Sequence, residues 1–184
     1  MKAKIINLNW ERSANVFMIC CIFAVSISAI AAQIFWHDLP CPLCLLQRVG
    51  FIAMAYGLLL NLRFGMKPIH YSITLLSSIF TAAVALRQIV LHIIPGTGVY
   101  GSALLGYHLY TWSFIAAGFV LLGVCILLGS DRQYIVKTRS KEWELATKIL
   151  FDITIIILVI NIISVVAVCG FARCPDNPTS YLVG

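Results

Sequence analysis

Two cysteines separated by two residues, in the run Cys41-Pro42-Leu43-Cys44-Leu45-Leu46-Gln47-Arg48, are the residues of this chain best equipped for chemistry. A CxxC pair can open and close as a disulfide, and its sulfurs react as thiolates. An apolar run begins directly after it, at Leu45. If that run is a helix, the pair sits at its N-terminus, where unbonded N–H groups and the positive end of the helix dipole favour an anionic sulfur. Pro42 suits a first helical turn, which has no use for its missing N–H. Cys44 and Arg48 are spaced i, i+4 and would share a helix face, about 6 Å apart. An arginine there can stabilise a thiolate or an anion formed beside it.

Two plainer readings compete. The pair could be half of a metal site with His37 and Asp38, but no second ligand pair at recognisable spacing lies near it. It could be a structural staple, but closing so short a loop contributes only roughly 2 kcal/mol in the chain-entropy model. Redox chemistry is the favoured reading. Cys169 and Cys174 form a second closely spaced pair, near the C-terminus. Cys20, Cys21 and Cys125 fall inside apolar runs, where thiols behave as small hydrophobes.

The elements that must position these residues are long and apolar. The 184-residue chain is 61% hydrophobic and 11% charged, which points to an integral membrane protein rather than a soluble domain. The chain reads as a single membrane domain, 1–184, with apolar runs at 14–35, 45–62, 69–94, 109–129 and 149–168. The first run could pass for a signal peptide, but it is long enough to span the bilayer and is read as an uncleaved helix. Gly50 and Gly57 in the second run allow close helix contact, and the hydroxyls of the third are expected to bond backbone or neighbouring helices.

Every lysine and arginine except Arg48, Arg87 and Arg173 flanks these runs on one side. The net charge of +6 therefore reads as membrane topology, with that side cytoplasmic, and not as a surface for nucleic acid. Five spans then put the N-terminus inside and the C-terminus outside. Both cysteine pairs share the outer side, where disulfides persist.

Pro40 to Arg48 resembles the motif of the DsbB family of membrane disulfide-forming proteins, DsbI relatives included, and Arg87-Gln88 with Leu91-His92 resembles a second, weaker signature of that family. The resemblance covers roughly the first two thirds of the chain. It implies an all-α, polytopic fold in the bacterial inner membrane, here a four-helix bundle plus a fifth transmembrane helix. It also implies electron transfer from a periplasmic DsbA-like thioredoxin-fold protein to a membrane quinone, ubiquinone or menaquinone. Arg48 and Gln47 are then candidates to meet the quinone oxygens. Arg87, as an intramembrane charge, and His92, as a proton carrier near the outer face, are weaker candidates, with His37 beside them. His70 and His108 are assigned no role.

One departure stands out. The outer loop, 95–107, has no cysteine, whereas the family carries its second redox pair there. The expectation is that Cys169 and Cys174, delivered to the same side by the fifth run, replace it; a local staple or two inert thiols are the alternatives. Two rival functions remain open: a quinone-linked thiol reductase of vitamin K epoxide reductase type, and a small channel or transporter with structural cysteines.

Overall fold

The computed structural model describes residues 2–36, 38–94, 103–134, 141–170, 174 and 181. Five helices dominate: α1 (Lys2–Phe35), α2 (Pro42–Phe64), α3 (Pro68–Leu91), α4 (Leu109–Leu128) and α5 (Lys141–Cys169). Each contains a stretch long and apolar enough to cross a membrane. The chain is a multi-pass, all-α membrane protein. Its exposed positions fit that solvent: Leu76, Ile79, Leu122, Ile126, Ile156 and Ile163 all point outward.

The helix ends differ from the apolar runs for local reasons. α1 and α5 begin well before positions 14 and 149, because the charged stretches ahead of the spans contain good helix formers and continue the same helices. α3 stops at Leu91, three residues short of the expected 94. The approach to Pro95 disfavours helix there, and His92 takes the C-cap. Arg87 therefore lies one turn from the helix end. In the loop expected at 95–107, residues 95–102 lie outside the described residues. The part after them forms a small antiparallel hairpin, β1 (Ala103–Leu104) and β2 (Tyr107–His108), which the sequence reading did not foresee. Its two turn residues both take positive φ, Leu105 at 52° and Gly106 at 82°, as a two-residue hairpin turn requires.

α1 to α4 close a four-helix ring in which α2 packs on α1 and α3, and α4 on α1 and α3. α5 lies outside the ring against α2, and its Ile157 joins the core made by Ile19, Ile22, Phe51, Met54, Leu58, Val120 and Val124. The tightest seam is between α2 and α3. A Cβ at Gly50 would run into the Thr81 hydroxyl, and one at Gly57 would sit 2.8 Å from the His70 carbonyl. Two glycines seven residues apart thus meet two threonines, Thr74 and Thr81, spaced the same way. The α3 hydroxyls bond mostly to backbone: Ser78 to Thr74 O at 2.8 Å, Thr81 to Ser77 O at 2.8 Å and Thr74 to Met54 O at 3.3 Å.

This seam fixes what happens at one end of the bundle. There the C-termini of α1, α3 and α5 meet the N-termini of α2 and α4, and there both cysteine pairs lie. At the opposite end a buried polar network links Asn15, Asn61, Tyr71 and Gln133, with Asn15 Nδ2 donating to the Tyr71 hydroxyl at 3.0 Å and that hydroxyl to Gln133 at 2.9 Å.

Candidate redox site

Cys41 is the N-cap of α2 and Pro42 its first residue. The Cys41 sulfur takes the place usually held by a serine or aspartate oxygen, accepting the Cys44 backbone N–H at 3.2 Å. Both residues are free cysteines, Cys41 buried and Cys44 half-buried. The Cys41 thiol is pushed above its ordinary value, first by its side-chain hydrogen bond with Cys44 and then by burial, while the backbone N–H groups of Cys44 and Leu43 pull the other way.

Gln88 of α3 comes between the sulfurs from above. Its Nε2 lies 3.3 Å from Cys41 Sγ and 3.4 Å from Cys44 Sγ. Its Oε1 accepts Gln47 Nε2 at 2.7 Å. Gln47, expected as a donor to a ligand, thus spends an N–H on Gln88. Arg87 does not enter this cluster: it lies on the exposed face of α3, one residue from Gln88. The physical reason is the helix period, because 87 is about 100° around from the face that meets α2. That face runs through Thr74, Ser78, Thr81, Ala85 and Gln88, spaced by four, three, four and three. The spacing is visible in the sequence and would have singled out Gln88.

Arg48 is 8% exposed and reaches toward α1. Nη1 donates to Gln33 Oε1 at 2.8 Å and Nη2 to the Ala29 carbonyl at 2.9 Å. Two of its five N–H donors are used this way. Gln33, which nothing in the sequence singles out, also accepts Ser164 Oγ of α5 at 3.1 Å and donates to the Tyr181 hydroxyl at 3.4 Å. His92 caps α3, its Nδ1 2.8 Å from the Gln88 carbonyl oxygen, and its ring stacks on Tyr110 at 5.6 Å. His108 stacks on the same tyrosine at 5.3 Å. His37 and Arg173 lie outside the described residues.

A small cleft of ≈ 60 Å³ is lined by Ala29 and Ala32 of α1, Leu39 and Pro40 of the turn, Cys44, Gln47, Arg48 and Phe51 of α2, and Tyr110 and Ser113 of α4. Its walls are mostly apolar, with a few convergent polar groups.

Cys169 ends α5 and is disulfide-bonded to Cys174. Gly170, at φ 60°, turns the chain off the helix in a conformation that glycine adopts at no steric cost. Cys169 and Cys174 pack with Val165, Val168, Leu39 and Leu45. Leu39 is two residues before Cys41 and Leu45 is the residue after Cys44, so the tail disulfide lies beside the CxxC. Cys20 and Cys125 face outward on the apolar surface of the bundle.

Compared with known protein families, the chain matches the family described as Disulfide bond formation protein DsbB over residues 11–99. The match takes in α1 from Glu11, α2, α3 and every residue of the sulfur cluster, and it ends in the outer loop, short of the first two thirds of the chain. No curated protein and no solved structure matches the chain.

Proposed function

From the match of residues 11–99 to the DsbB family, we propose that this chain generates disulfides at the periplasmic face of a bacterial inner membrane. Electrons would pass from a DsbA-like thioredoxin-fold protein, through the two cysteine pairs, to ubiquinone or menaquinone. The observation that carries this reading is the position of Cys44, in the wall of an apolar cleft whose other polar members include Gln47 and the buried guanidinium of Arg48.

The lining of the cleft, not its volume, supports a quinone as the acceptor. Its apolar walls match the ring, Arg48 offers a fixed positive charge to an oxygen that becomes anionic, and Tyr110 and Ser113 supply hydroxyls from α4. A quinone held there would take up the two electrons and two protons that the Cys41/Cys44 dithiol gives up as its S–S bond forms. The chain's own residues do the rest. Helix α2 presents backbone N–H groups to Cys41, and the turn residues Leu39 and Pro40 line the cleft.

The tail disulfide serves as the entry point in this reading. A partner thiolate attacks one sulfur of Cys169–Cys174, the tail S–S bond breaks and a mixed disulfide forms. The partner's second thiolate then resolves it, leaving the partner oxidised and the tail as a dithiol. The same exchange between the tail dithiol and a Cys41–Cys44 disulfide moves two electrons and two protons inward and restores the tail disulfide. The packing of the tail pair on Leu39 and Leu45 supports this order.

The test is purified protein with a reduced thioredoxin-fold substrate and a water-soluble quinone, with quinol followed by absorbance. Cys41→Ser and Cys44→Ser should each abolish quinol formation while helicity is kept. Full activity in either variant would sink the reading.

A further inference from the structure

We propose that Gln88 is a positioning residue that sets the redox poise of the Cys41/Cys44 pair. The proposal rests on the reading that this pair cycles between dithiol and disulfide. An amide NH₂ has two hydrogens, and here one nitrogen lies within 3.3 Å of Cys41 Sγ and 3.4 Å of Cys44 Sγ. Among the described residues it is the side chain with hydrogen bonds to both sulfurs. The amide is held in that orientation, because Gln47 donates to its oxygen at 2.7 Å. Its own backbone carbonyl is 2.8 Å from His92 Nδ1 at the helix cap. Gln88 is 0% exposed, so water does not compete for these bonds, and in so dry a setting each is stronger than on a surface.

The chemistry follows from what sulfur accepts. An ionised thiol is a strong acceptor and a disulfide sulfur a weak one. A neutral donor aimed at both sulfurs therefore stabilises a reduced pair that carries one thiolate over the closed disulfide. A dithiol whose reduced form is stabilised is the stronger oxidant when closed. Gln88 thus makes the Cys41–Cys44 disulfide a better acceptor for electrons arriving from the tail. It does so without a charge, which would itself need a partner inside the bundle. A purely structural role, as an amide pair joining α2 to α3, would need only the Gln47 bond and would not reach the sulfurs.

The experiment uses the full chain, purified without quinone or protein partner and equilibrated in graded dithiothreitol or glutathione buffers. The fraction of Cys41–Cys44 disulfide is read by alkylation and peptide mass, which separates it from Cys169–Cys174. Gln88→Met keeps length and removes the donors. Gln88→Glu keeps the acceptor for Gln47 and removes the NH₂. Gln47→Leu removes the amide pair and keeps the Gln88 donors. The expected result is that both Gln88 variants close to the disulfide more readily, with an equilibrium shifted at least tenfold, a fall of about 30 mV in potential. Alkylation at pH 7 should slow by a similar factor, and Gln47→Leu should shift the equilibrium less than either. Unchanged potential and alkylation in a Gln88 variant of normal helicity would overturn the proposal. A wild-type pair that never closes would overturn it together with the redox reading. A pair that titrates normally but yields no quinol would count against the quinone step alone, with the Gln88 variants still deciding the role of Gln88.

Discussion

The Arg48 guanidinium donates to Gln33 Oε1 at 2.8 Å, and Ser164 reaches the same oxygen at 3.1 Å. One carbonyl oxygen therefore ties α1, α2 and α5 together level with the cysteines. Arg48 is held by this bond and by the Ala29 carbonyl, so its charge is fixed at the cleft and does not snorkel to the interface.

That fixed charge gives the first expected outcome. Arg48→Met keeps the length and apolar contact of the side chain and removes the guanidinium. The quinone-dependent rate at limiting quinone should fall about 100-fold, the usual effect of losing a preorganised donor to developing negative charge. Arg48→Lys keeps the charge without the planar fork and should fall between. Steady-state kinetics at varied quinone decide it. Wild-type kcat/KM in Arg48→Met would leave the residue as an inter-helix tie only.

The α2–α3 seam gives the second. Gly50→Leu has no room, since even a Cβ would meet the Thr81 hydroxyl. Overpacking of this kind costs about 1–3 kcal/mol. It should also part α2 from α3 near the level where Gln88 reaches the sulfurs. The apparent Tm in detergent should drop by several degrees, and the accessibility of Cys41 and Cys44 to a thiol reagent should rise. A Gly50→Leu protein with unchanged melting and unchanged thiol reactivity would mean that the seam tolerates a wider spacing.

Much of this arrangement was legible in the sequence, and the reasons differ from residue to residue. The five helices follow from apolar length. The placement of Cys41 follows from Pro42, because a proline at the first helical position leaves the residue before it as the cap. Gly50 and Gly57 announced the close seam. Arg87 lies outside the sulfur cluster because the packed face of α3 is set by helical period and passes through Gln88. Gln33 gave no signal: a lone glutamine in α1 has meaning only once α2 and α5 have been brought beside it. The hairpin at 103–108 was missed because Leu105 holds a positive φ that sequence does not advertise for a leucine.

Orientation in the membrane gives the third expected outcome. Lys67 lies in the short exposed link between α2 and α3, and Tyr107 is exposed in the hairpin at the opposite end. The positive charge gathers around the first of these positions. In intact cells with the outer membrane permeabilised, a membrane-impermeant maleimide should label Tyr107→Cys above the parent protein. Lys67→Cys should label only after lysis. The reverse pattern would put the CxxC in the cytoplasm and remove the oxidising side on which the relay depends.

The tail gives the last. Cys169 is anchored at the end of α5, in the same small apolar cluster as Leu45, while Cys174 follows five residues later across Gly170. With the tail disulfide closed, both sulfurs are held beside the turn that carries Cys41. Once it opens, five extended residues can carry Cys174 roughly 16 Å, far enough to meet a soluble protein and to return. Holding one sulfur while freeing the other is what a relay between a bulky partner and a buried pair requires, and a staple would gain nothing from it. Cys169→Ser and Cys174→Ser should therefore stop oxidation of the thioredoxin-fold substrate. Quinol formation driven by dithiothreitol acting at Cys41–Cys44 should persist at close to the wild-type rate. In a background lacking one cysteine of each pair, a mixed disulfide between the tail and the CxxC should accumulate and be visible as a crosslinked peptide. If both tail variants still oxidise the protein substrate at wild-type rates, the soluble partner reaches Cys41–Cys44 directly and the tail pair is a local staple after all.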